Sequence, residues 1–222
     1  MTVLLWTPLI FASVGLGVWL VSFGIEALRP TPAPPKKLRW APDMKIDYVD
    51  VGGHKLRFIR SGRGPILVLL HTLRTQLDLF EKVVPELSKH FTVYALDYPG
   101  HGYSDIPKSR YDAAFFTEAV EAFLERLDLS DVTLAGVSIG GAIPLIIAAK
   151  QNPRVARVVA INPYDYAKGR GMARSSLLGW MITYASLIPV LGETVNRLRN
   201  FIIMKAVLRG ASWTQRVSRP SS

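Results

Sequence analysis

Gly136-Val137-Ser138-Ile139-Gly140 is the stretch whose reading decides the fold of this chain. An apolar run, Val132-Thr133-Leu134-Ala135, leads into it, and Gly141-Ala142-Ile143-Pro144-Leu145-Ile146-Ile147-Ala148-Ala149-Lys150 leads out. The first run reads as a buried strand and the second as a helix, so the pentapeptide is the turn between them. Glycines on both sides of the serine suit a turn in which strand and helix backbones pack closely. A serine just before a helix is ordinarily an N-cap. Set between these glycines and apolar flanks, Ser138 reads instead as a nucleophile displayed on a tight strand-to-helix turn.

Moving outward, residues 47–51 and 55–60 flank Gly52-Gly53-His54, a hairpin signal. Residues 65–70 form a continuous apolar run of the kind expected from a strand covered on both faces. Residues 77–88 have helical spacing, 91–96 read as a second buried strand, and 112–127 as an amphipathic helix. Residues 155–161 read as a further buried strand. Strand and helix alternate throughout, which predicts an α/β sheet with parallel central strands.

Four pieces in this order resemble the α/β-hydrolase family: the strand ending in His71-Thr72-Leu73, the run Asp97-Tyr98-Pro99-Gly100-His101-Gly102-Tyr103-Ser104-Asp105, the turn around Ser138, and the strand ending in Ile161-Asn162-Pro163. The likeness covers residues 45–166 and is nearest to the capped esterase, lipase and epoxide-hydrolase-like branch. It implies a mostly parallel sheet with helices on both faces and a partial helical cap drawn from the apolar segments within 170–209. Ser138 would be the nucleophile of a membrane-anchored serine hydrolase that cleaves a small-molecule, lipophilic acyl ester through an acyl-enzyme. A serine at this turn argues against the epoxide and haloalkane chemistries, which resemble this fold but place an aspartate there. By the same resemblance the backbone N–H groups of Ile139 and Leu73 would form the oxyanion hole. His71 would brace the oxyanion loop, His101 would brace the Pro-Gly-His-Gly turn, and Asp97 would be structural. Gly136 and Gly140 would let the turn close. One departure stands out: Thr72 occupies a position where glycine is usual.

A hydrolase of this kind needs its residues in the order serine, acid, histidine. All four histidines, His54, His71, His90 and His101, precede Ser138. Asp165 is the candidate acid, with no histidine after it to orient. Residues 211–222 are polar, basic and aperiodic. The expectation is a truncated, nearly inactive hydrolase whose strand 155–161 is left as an unpaired apolar edge. The alternative is a non-catalytic, membrane-tethered binding protein that reuses the fold. Acyl transfer to an alcohol other than water is a third outcome.

The ends complete the expected organisation: an anchor at 1–28, a Pro-rich basic linker at 29–44, the core at 45–166, and partial cap and tail at 167–222. Residues 3–25 contain no charged side chain, long enough for a helix that spans a bilayer. Arg29, Lys36, Lys37 and Arg39 follow it, which predicts a single pass with the globular part on the cytoplasmic side. Arg-Pro-Thr-Pro-Ala-Pro-Pro at 29–35 reads as a stiff spacer. The net charge of +10 comes from 150–222, where 12 Lys and Arg face only Asp165 and Glu193. That excess suits contact with anionic lipid; no nucleic-acid-binding signature accompanies it. The chain has no cysteine, which excludes disulfides and thiolate chemistry. No metal-ligand cluster or phosphate loop is visible, so no metal and no cofactor is expected.

Overall fold

Two adjacent glycines start the sheet. Gly52 and Gly53 have φ of 61° and 82°, the left-handed region that a two-residue hairpin turn requires. They join β1 (Ile46–Val51) to β2 (His54–Ser61) with Val51 opposite His54. The computed structural model describes residues 2–30, 32–164, 188 and 190–198, the side chains at 2–9, 11, 195 and 196 excepted. The chain divides into two units, 33–165 and 1–32 with 166–222, and each is considered by itself.

In the unit 33–165, β3 (Ile66–Leu70), β4 (Thr92–Leu96), β5 (Val132–Val137) and β6 (Val155–Ile161) complete a sheet of order β1-β2-β4-β3-β5-β6. The hairpin joins antiparallel through β2 and β4, whereas β4, β3, β5 and β6 run parallel. The chain places β4 on one side of β3 and β5 on the other. Their carboxyl ends therefore flank a switch point, where open α/β sheets bind ligands. This is an α/β-hydrolase-type architecture with a mostly parallel sheet.

Strand alternation divides the core into two layers. Val68, Leu70, Tyr94, Leu96 and Leu134 face α3 (Ala113–Arg126) and α4 (Ile139–Ala149), packing on Phe116, Val120, Phe123, Ile143 and Ile147. Leu67, Leu69, Val93, Ala95 and Ala135 face the other way, onto Leu77, Phe80 and Val84. Leu38, inside the stretch read as a linker, is buried in this second layer. The helix expected over 77–88 is split into a 3-10 turn (Leu77–Phe80) and α2 (Val84–Leu87). Pro85 has no N–H to donate to the Glu81 carbonyl, so one continuous helix is disfavoured. Asp112 caps α3 by accepting from the Phe115 N–H at 3.0 Å.

Strand β6 departs from the expectation of a buried strand. It lies at the end of the sheet, and a register shift at its start places Arg157 opposite Thr133 and Val159 opposite Ala135. Val159 and Ile161 therefore share the face of Ala135, where they remain 46% and 50% exposed. An apolar edge of this kind templates association. Replacing Val159 with lysine is expected to shift the purified chain toward lower mass in light scattering, without loss of helix or strand signal; an unchanged mass distribution would count against this.

In the other unit, α1 (Thr2–Ala27) and α5 (Leu191–Arg197) are described. The Arg197 guanidinium sits 3.9 Å over the Phe23 ring, and Arg29 Nη2 donates to the Arg197 carbonyl at 2.6 Å. Among the described residues no helix is long and apolar enough to cross a membrane. The span expected over 3–25 thus finds no support in the fold, although those residues are helical. The cap expected from 170–209 falls outside the described residues except for 188 and 190–198.

Candidate active site

Ser138 adopts φ 58° and ψ −119°, a backbone state that costs a non-glycine residue about 1–3 kcal/mol. The surrounding backbone holds it there. The Ser138 N–H donates to the Ile161 carbonyl at 3.0 Å, and the Ser138 carbonyl accepts from the N–H groups of Gly141, Ala142 and Tyr164, each at 3.0 Å. The turn closes only because its neighbours lack side chains. A Cβ on Gly136 would fall on the Gly140 carbonyl, and one on Gly140 would fall on the Leu70 carbonyl. Pro144, inside α4, has no N–H to offer the Gly140 carbonyl, which instead abuts Gly136. Ile139 begins α4, so its N–H has no partner within the helix.

The second donor position expected from the sequence, Leu73, lies in the loop 71–76. The Thr72 carbonyl accepts from Thr75 Oγ1 at 2.7 Å and faces His71 Nδ1 at 2.8 Å. Because the peptide is planar and trans, the Leu73 N–H points the opposite way, away from His71 and Thr75. Threonine at 72 is accommodated because the left-handed residue of this loop is Arg74, with φ 60°. Glycine takes that conformation at no steric cost, so Arg74→Gly is expected to stabilise the fold by about 1 kcal/mol in urea unfolding; a lower midpoint would contradict this account of the loop.

His71 is fully buried. Its Nε2 accepts from the Tyr98 N–H at 3.1 Å, and since a backbone N–H can only donate, the ring proton sits on Nδ1 and points at the Thr72 carbonyl. Burial lowers the His71 pKa to about 4, against the Thr72 hydrogen bond, with the neighbouring His101 adding to the lowering. Both nitrogens are engaged, so this imidazole is a brace and no base. The unfolded chain takes up the proton first, so the contribution of His71 is complete above about pH 6.5 and is lost as pH falls toward about 4, an effect of about 3 kcal/mol. Urea midpoints at pH 7 and 4.5 should therefore differ more in the wild type than in His71→Gln.

His101 lies 5.4 Å from the His71 ring, its Nδ1 3.1 Å from the Pro99 carbonyl. His54 is in the hairpin and His90 is exposed after α2. Among the described residues, none of the four histidines hydrogen bonds Ser138. Asp165 lies outside the described residues.

Asp97 directly follows β4 and is fully buried. One carboxylate oxygen accepts from the Leu77 N–H at 2.7 Å, and the other from the Tyr103 N–H at 3.0 Å and from Arg57 Nη1 at 3.1 Å. Burial pushes its pKa up, while those two N–H groups and the guanidinium pull it down. Asp97 thereby ties the far end of the loop 71–77, as Tyr98 ties His71 at its start. Arg57, Ser104 and Thr75 belong to this framework; Ser104 lies within the run 97–105, Thr75 carries no sequence signal, and that of Arg57 is a charged side chain in β2 between Leu56 and Phe58. Ser104 Oγ accepts from the Arg57 N–H at 2.9 Å and donates to the Asp97 carbonyl at 2.7 Å. Among the described residues no group of three or more His, Asp or Glu is placed to hold a metal.

The chain is 33% identical over 118 residues to 2-(acetamidomethylene)succinate hydrolase of Mesorhizobium japonicum, covering 53% of this chain and 42% of that protein. It is 35% identical over 136 residues to haloalkane dehalogenase 1 of Mycobacterium bovis, covering 60% and 45%. Among solved structures, the enol-lactonase from Burkholderia xenovorans superposes with a TM-score of 0.51 at 32% identity, over 53% of this chain and 46% of that one. The chain thus spans less than half the length of these relatives. The family description "alpha/beta hydrolase fold" matches residues 65–195, more than half of the chain, with Ser138 and the loop 71–76 inside the matched region. The chain belongs to the alpha/beta hydrolase family.

Proposed function

We propose that this chain is a serine-based acyl hydrolase, and the observation that carries the reading is the strained, four-point backbone clamp on Ser138. Attack by Ser138 Oγ on an acyl carbonyl forms the Oγ–C bond. The developing oxyanion is received by the N–H groups of Ile139 and Leu73, and the leaving alkoxide departs with a proton. Water then attacks the acyl-enzyme, releasing the acid and restoring the hydroxyl. The proton transfers require a base, and none of the four histidines is bonded to the serine. A serine with no base bonded to it reacts several orders of magnitude more slowly, with some catalysis retained by the oxyanion hole. The reading therefore assigns these residues the nucleophile and oxyanion roles and a low intrinsic turnover.

A fluorophosphonate probe tests it. Expected is slow, stoichiometric labelling on a peptide containing Ser138, absent in Ser138→Ala. No labelling after prolonged exposure would favour the second reading, a binding protein on the same fold, for which the lack of a histidine bonded to Ser138 among the described residues speaks. The expected lipophilic ester rests on cap residues outside the described ones, so only an acyl ester is proposed.

We also infer attachment to a bilayer through 3–25. The uncharged length supports it, as do the apolar side chains exposed along α1, among them Ile10, Val14, Leu16, Leu20 and Val21. A helix with apolar side chains displayed all round has no face suited to water. Retention of the full chain in membranes after alkaline carbonate washing is expected, and release would refute it. Protection of the globular part from external protease in spheroplasts would place it on the cytoplasmic side.

A further inference from the structure

Arg74 differs from every other charged group around the switch point. Within 71–76, 97–105, 138 and 162–164, which follow β3, β4, β5 and β6, the residues with a full charge at neutral pH are Arg74, Asp97 and Asp105, and the Asp105 carboxylate accepts from the Lys55 N–H at 2.8 Å. Asp97 is buried and neutralised by Arg57 at 3.1 Å, and His71 is buried and neutral. Arg74 is exposed, and among the described residues no carboxylate pairs with it. Of the two carboxylates in its neighbourhood along the chain, Asp78 accepts from the Trp40 indole at 2.7 Å and Glu81 faces Arg39 at 3.8 Å.

The backbone at this position is unfavourable for arginine. With φ at 60°, it lies in the left-handed region that glycine or asparagine occupies more readily. Three non-glycine residues in these segments have positive φ, Arg74, Ser138 and Asn162, and of the three only Arg74 is charged. Such strain at a site motivates a functional reading. Arg74 also follows directly on Leu73, whose N–H is the second oxyanion donor. A cation one residue from that donor, with no carboxylate paired to it among the described residues, biases the crevice toward a substrate that brings its own negative charge.

We propose that Arg74 is the specificity-determining residue of this crevice, selecting acyl compounds that carry a carboxylate away from the scissile carbonyl. This rests on the reading of Ser138 as the nucleophile. The guanidinium would engage the free carboxylate as a charge-assisted pair while the ester carbonyl lies toward the Ile139 and Leu73 N–H groups.

The test is binding, so it does not depend on turnover. Titration of the full chain with monomethyl succinate and with dimethyl succinate, followed by NMR, compares an anion with its neutral analogue. The expected result is about tenfold tighter binding of the monoanion at low salt, weakened by added salt. Arg74→Gln and Arg74→Gly should both bring the two ligands to equal affinity. Equal affinities in the wild type, no saturable binding of the monoanion, or a preference that survives in both variants would overturn the proposal. Fluorophosphonate labelling of Ser138 is read separately on the same protein, so failure of the nucleophile assignment is distinguishable from failure of the Arg74 assignment.

Discussion

Alanine at Gly140 is expected to destabilise the fold severely. The added methyl would fall on the Leu70 carbonyl with the His71 carbonyl at 2.6 Å, and both belong to backbone at the end of a central strand. Neither group can rotate away as a side chain does. To make room, β3 or α4 must move, and β3 is bonded to β4 and β5 on its two sides. The expected loss is about 4 kcal/mol or more, a large share of the about 5–15 kcal/mol that stabilises an ordinary domain. Gly141 provides the control. There the same methyl meets its nearest atom, the Gly136 carbonyl oxygen, at 3.0 Å and two others at 3.4 Å, so a shift of a few tenths of an ångström suffices. Gly141→Ala should cost only about 1–3 kcal/mol. Denaturant unfolding of the two variants decides the matter, and equal losses would show that the elbow is not held by backbone contact as described.

The second large effect is expected at the buried pair of Asp97 and Arg57. Asp97→Ala removes the acceptor for the Leu77 and Tyr103 N–H groups and strands a guanidinium whose next carboxylate, Asp78, is 3.8 Å away. An uncompensated buried charge costs about 3–5 kcal/mol. Arg57→Met should cost less. Arg57 Nε and Nη2 are already buried without partners, so methionine removes two unmet donors along with the charge. Asp97 then keeps its two backbone donors, and its carboxyl, already pushed up by burial, can take up a proton. Chemical denaturation of both single variants measures the asymmetry; a cost for Arg57→Met equal to that of Asp97→Ala would refute it. The Asp97 change should also raise amide exchange across 71–77, since that loop loses its tie at Leu77.

Local chemistry made much of this legible. The strand, turn and helix around Ser138 could be read because glycine spacing and apolar runs act within a few residues. Val155–Ile161 was placed as a strand by the same logic, yet its burial was misjudged. Apolar content reports what a strand can bury, whereas exposure depends on which neighbours arrive. The helix expected over 77–88 failed at Pro85, whose missing N–H outweighed the helical spacing.

The site framework was mostly illegible for a different reason. Arg57 and Asp97 are 40 residues apart, and Leu77 and Asp97 are 20 apart. No periodicity links such pairs; they meet because β2 and β4 are neighbours in the sheet. His71 could be placed near the site by motif. Its role as a neutral brace follows only from the Tyr98 N–H that occupies Nε2.

By itself the sequence determined that strand and helix alternate, that Ser138 sits on a glycine-lined turn, and that no histidine follows it, because these are properties of neighbouring residues and of order along the chain. Only the tertiary structure decided that Ser138 is held at φ 58°, that the left-handed residue of the loop 71–76 is Arg74, and that Arg57 neutralises Asp97 while Arg74 has no carboxylate partner among the described residues. Each of those depends on backbone groups and charges brought together from distant strands, and the sheet alone brings them there.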